Sequence, residues 1–149
     1  MSHANQQIRA QVKEFLLGLD TTGENVVTSR VYPMDDAFLP GLVIWTKRMA
    51  KAGPETLGKI VTYRTELQVE GRAKADQNID DVLDDILSEV SEALMEDTTL
   101  GGLVMCCEME EVEYGMGGGL ERPHGVVQMT FGVRFKVQAD NPQELIYAP

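Results

Sequence analysis

From Val127 to Val137 the chain alternates strictly. Val127, Met129, Phe131, Val133, Phe135 and Val137 occupy one parity, and Gln128, Thr130, Arg134, Lys136 and Gln138 the other. Only an extended strand has a period of two, so this segment predicts a strand with one buried face and one wet face. A second alternation runs through Val61, Tyr63, Thr65, Leu67 and Val69 against Thr62, Arg64, Glu66, Gln68 and Glu70. Apolar faces of this length need a cover, and two segments with helical spacing can supply it. Residues 3–20 carry a stripe of Ile8, Val12, Phe15, Leu16 and Leu19. Ile79, Val82, Leu83, Ile86, Leu87, Val90 and Leu94 form another, with Asn78 as N-cap and Asp80 and Asp81 at the positive helix end.

Shorter signals complete the outline. Val26 to Tyr32 reads as a brief strand, and Leu42 to Thr46 as a central strand covered on both faces. Leu103 to Tyr114 reads as a strand with Leu103, Met105, Cys107 and Met109 on one face and a bulge at Glu110-Glu111. Gly23 suits the left-handed turn that closes the first helix. A glycine-rich connector spans Gly115 to Gly125, and the tail from Asp140 shows no period. The expected fold is α+β: a mostly antiparallel sheet of four to five strands with two amphipathic helices packed on one face. A single domain covers residues 1–149, with flexible ends at about 1–5 and 139–149, since one core serves roughly 100–200 residues.

Charge narrows the function. The 149 residues carry 24 acidic and 13 basic side chains, a net charge of −11. Nine of the acids fall between Asp76 and Asp97, where there is no Lys or Arg. Such a surface cannot neutralise phosphates, which disfavours direct nucleic-acid binding. No apolar run approaches the ~18 residues of a membrane span. The N-terminus lacks the basic start and apolar core of a signal peptide, so export by that route is not expected. Cys106 and Cys107 are adjacent, too close for an ordinary disulfide, and read as reduced thiols.

Motifs for chemistry are sparse. There is no phosphate-binding loop and no spaced Cys/His set for zinc. His3 is expected in a frayed terminus, and His124 in a surface loop beside Pro123. Glu108, Glu110, Glu111 and Glu113 form an acidic strand, two per face if the alternation is unbroken. A divalent-metal hydrolase using Glu108, Glu110 and His124 is the enzymatic alternative, and Asp80, Asp81, Asp84 and Asp85 read as a solvated helix face. No catalytic, metal or cofactor site is assigned. Two loops are expected to make protein contacts. One displays Met34, Asp35, Asp36, Phe38 and Leu39, and the other Tyr114, Met116, Gly117, Gly118, Gly119, Leu120, Arg122 and His124.

Several segments together carry a family resemblance over about Ile8 to Val137. They are the first helix, Arg30-Val31-Tyr32-Pro33, Leu39-Pro40-Gly41-Leu42-Val43-Ile44, Arg64-Thr65-Glu66-Leu67-Gln68-Val69-Glu70-Gly71, the acidic helix Asp80 to Ile86, and the final alternating strand. The chain resembles the tail-terminator family of long-tailed bacteriophages, the minor tail protein U-like and tail-completion proteins. The resemblance implies a non-enzymatic virion protein without cofactor, assembled in the host cytoplasm and located at the head-proximal end of the tail. It implies a ring, generally of six copies, that caps the major tail tube protein, stops tube polymerisation and presents a surface to a head-completion or connector protein. DNA would pass through the lumen without specific binding, and no membrane would be involved. Another head–tail connector or tail-tube component is the alternative within the same assembly. A closed ring requires head-to-tail interfaces between different flanks of the subunit.

Overall fold

A computed structural model describes residues 3–28, 38–53, 60–74, 78–117 and 124–146. In chain order the elements are α1 (Ala4–Leu16), β1 (Val26–Val27), β2 (Gly41–Lys51), β3 (Ile60–Lys74), α2 (Ile79–Met95), β4 (Cys106–Gly117), β5 (His124–Gln138) and β6 (Asn141–Ile146). The two alternating segments, β3 and β5, pair antiparallel without interruption from Ile60 opposite Gln138 to Lys74 opposite His124. Around that ladder the strand order is β1-β2-β3-β5-β4, and β6 pairs with the end of β5 beyond β4.

The class is α+β, with the sheet composition corrected. Among the described residues there are six strands rather than four or five, and β1 runs parallel to β2. The added strand is β6, in the tail that has no period. Six residues beside one neighbour, with Leu145 buried, give alternation little to mark. The Val26 to Tyr32 signal yields only Val26–Val27 as strand, and residues 29–37 lie outside the described residues. Leu103 to Met105 form a turn, and β4 begins at Cys106 and extends through Gly117 into the stretch read as a connector.

The odd-numbered residues of β3 and β5 build the main core with Ala4, Ile8, Val12 and Leu16 of α1 and Leu83, Ile86, Val90 and Leu94 of α2. Each fully buried side chain of this size contributes roughly 1.5–3 kcal/mol. α1 starts on a reciprocal cap. The Asn5 amide donates to His3 Nδ1 at 3.0 Å, and the His3 amide donates to Gln6 Oε1 at 2.7 Å. His3 is thus the N-cap of α1, satisfying donors that the first turn leaves open. The helix stops at Leu16, earlier than its apolar stripe, and Gly18 (φ +82°) and Gly23 (φ +57°) turn the chain. Asn78 occupies the α2 cap position without a side-chain cap bond, and Asp80 and Asp81 supply negative charge to that end.

A second, smaller cluster forms on the opposite face of the sheet. Phe38, Leu39 and Val43 are buried together, with Val27 and Trp45 against them. Val43 and Trp45 stand opposite Glu70 and Gln68. This overturns the reading of that face as uniformly wet, since Gln68 is fully buried and Glu70 is 8% exposed. β2 has both faces covered only from Gly41 to Ile44, and from Lys47 onward it is exposed.

Close approach of α2 to the sheet depends on glycine. A Cβ at Gly125 would lie 2.5 Å from Ile79 Cγ1, and one at Gly71 would lie 2.6 Å from Ile86 Cγ2. Gly115, by contrast, faces open space. Gly125→Val is expected to lower unfolding free energy by about 1–3 kcal/mol through overpacking. Gly115→Ala should change it by less than about 0.5 kcal/mol. Urea unfolding of both variants checks the contrast, and equal effects would contradict this helix placement.

Candidate functional site

The sheet face turned away from the helices gathers the polar side chains. β4 is an edge strand, and its register shifts between Met109 and Glu111 against β5. That bulge, at the position the sequence suggested, changes the face assignments. Glu108, Glu111 and Glu113 stand opposite Gly132, Thr130 and Gln128, all of one parity on β5. Glu110, the extra residue, accepts a hydrogen bond from Arg64 on that same face. The four glutamates are thus gathered on one side rather than split two and two. Arg64 also pairs with Glu66 at 3.3 Å, and its acidic neighbours, Glu110 first, raise its pKa further. These are partly exposed pairs, which stabilise only modestly.

Farther along the face lies an open cleft of about 330 Å³, walled by Glu70, Arg72, Glu113, Gly115, His124 and Gln128. Arg72 donates to Glu70, Gln128 Nε2 donates to Gln68 Oε1 at 2.6 Å, and Thr130 Oγ1 donates to the same oxygen at 3.1 Å. His124 is the first residue of β5, 2% exposed, and its Nδ1 has no hydrogen-bond partner among the described residues. The expected surface loop position is therefore corrected. Pairing with both Lys74 and Gly117 encloses the imidazole at the centre of three strands.

The expected contact residues fall into three groups. Phe38 and Leu39 are packed within their own chain, because Gly41 lets the Phe38 ring lie across β2. Tyr114 and Met116 are 52% and 62% exposed on β4, the Tyr114 hydroxyl donating to Asp84 at 2.8 Å, and Gly117 pairs with His124. Met34, Asp35, Asp36, Gly118, Gly119, Leu120 and Arg122 lie outside the described residues. Met105 and Met109 are 38% and 42% exposed, while Cys107 and Val104 are buried. The four residues Leu103, Met105, Cys107 and Met109 do not form one buried face, since α2 packs mainly over β3 and β5 and leaves the edge strand open.

Glu108 and Glu110 lie near Gly132, eight positions along β5 from His124. At about 3.3 Å per residue that is roughly 25 Å, so the trio of the enzymatic alternative shares no site. Among the described residues no group of three His, Cys, Asp or Glu could hold a metal ion. No helix among them is long and apolar enough to cross a membrane. Sequence reasoning missed Glu70, Arg72 and Gln128 as cleft residues, although shared parity across β3 and β5 marks their common face. No protein-family model matches the chain, and no curated protein matches it.

Burial holds the His124 imidazole below its ordinary pKa of 6.5, Arg72 adding to the fall and Glu70 opposing it. The unfolded chain then binds more protons between the ordinary and the lowered value, so stability falls as pH drops through that window. The urea midpoint should decline from about pH 7.5 to 5.5, and His124→Gln should flatten that decline. An unchanged slope would contradict the buried neutral imidazole. Burial also pushes the Cys107 thiol up to about 12, whereas Cys106 is half-exposed. One thiol is expected to react with an aromatic disulfide reagent in the native protein, and the second only after unfolding.

Proposed function

We propose that the chain is a tail terminator: a structural virion protein that closes into a ring on the last tail-tube ring and carries out no chemistry. The observation that carries this reading is the cluster of four glutamates on the edge strand β4. β4 places Glu108, Glu110, Glu111 and Glu113 together on one face, and the chain as a whole has a net charge of −11. A lumen lined by that strand would repel phosphates and let DNA slide past without a bound intermediate. The helices would then form the outside of the ring, with the acidic surface of α2 directed away from the channel. One rim of the ring would meet the major tail tube protein, and the other a head-completion or connector protein. The ring would hold six copies, as the resemblance implies, at the head-proximal end of the tail.

The reading separates from its nearest neighbour by tail length. A nonsense mutation of this gene in its phage should give heads without attached tails, together with tubes of uncontrolled length. Tubes of normal length that fail to join heads would favour a connector role. Infectious particles in normal yield would overturn both.

A further inference from the structure

The two long edges of the sheet differ in charge. Among the described residues, β2 pairs outward with β1 only at Leu42 and Val43, leaving Lys47, Arg48, Met49, Ala50 and Lys51 exposed. The opposite edge is β4, with its four exposed glutamates and, among the described residues, no strand beyond it. One edge is basic and the other acidic. Like charges on an exposed edge discourage pairing with the same edge of another copy. Two β4 edges repel each other, and so do two β2 edges, while β4 against β2 attracts. That selects a head-to-tail contact over a two-fold one.

We infer that β4 of one copy pairs antiparallel with the Lys47–Lys51 segment of β2 in the next copy, joining the sheets into one continuous wall. The inference rests on the ring reading and names the interface that would build it. Strand direction fits. β2, β3, β5 and β4 alternate in direction, so β4 runs opposite to β2. Copies related by rotation about an axis along the strands therefore bring these edges together antiparallel. Level fits as well. Arg48 stands opposite Glu66, Glu66 opposite Gly132, and Gly132 opposite Glu108. Arg48 and Glu108 thus occupy one row on one face, and a rotation without rise, as closure demands, sets them side by side.

The helix-side face is matched too. Met49 shares a row with Cys107 through Thr65 and Val133. It would pack diagonally between Met105 and Met109 of the neighbour, covering three apolar side chains that stay 38–42% exposed in the isolated chain.

The test is disulfide trapping in a Cys106→Ser background. Opposed Cα atoms on antiparallel strands lie about 4.5–5.5 Å apart, within the ~4.4–6.8 Å that a disulfide spans. Oxidising the Arg48→Cys/Glu108→Cys protein, alone and with tail tubes, should give a ladder of linked multimers on a denaturing gel. Either single variant should stop at dimers. As a second readout, Arg48→Glu should weaken self-association at least about tenfold, and adding Glu108→Arg and Glu110→Arg should recover it. Multimers that form without a ladder and ignore the charge swap would overturn the edge pairing and leave the ring. A protein that stays monomeric, alone and with tubes, would overturn both.

Discussion

The ladder between β3 and β5 is the constraint on which the rest of the molecule depends. Each strand has 15 residues, and every residue of one has a partner on the other. A slip of β5 by one position would turn Met129, Phe131 and Val133 out of the core and bring Thr130 and Arg134 in. The registry therefore decides where α1 and α2 dock. It also fixes the level of everything attached to it. The bulge in β4, the polar cleft and the exposed end of β2 are all placed by counting rows from this pair.

Those two strands were also the most legible part of the chain. Alternation marked their apolar face, 3.6-residue spacing marked both helices, and the doubled glutamate marked the bulge. What escaped the sequence has specific physical causes. Gln68 and Glu70 have wet parity, but Trp45 and Val43 stand opposite them and Phe38 and Leu39 pack onto Val43, which no local pattern shows. The two-per-face reading of the β4 glutamates held only for an unbroken alternation, and the extra residue of the bulge brings all four to one face. His3 and His124 look alike in sequence as polar residues near chain ends or loops. One caps a helix through Nδ1, and the other is enclosed by strands on both sides. β6 carries no period because a short terminal strand needs only one partner.

The candidate site was legible in part. The four glutamates were evident as a group, yet their gathering on a single face depends on the bulge. The cleft was not evident at all, since Glu70, Arg72, Glu113 and His124 come from three strands far apart in sequence. With its helices on one side, the sheet resembles a plank with a dry back and a polar front. A plank whose two edges carry opposite charge is suited to repetition around a channel. That property, rather than any reactive group, is what connects the fold to the proposed role.

The most direct measurement is electron microscopy of the purified protein mixed with growing tail tubes. The account predicts one closed ring seated on a single end of each tube, with a central hole open along the tube axis and elongation stopped at that end. Binding along the tube sides, or tubes that continue to grow from a decorated end, would contradict it.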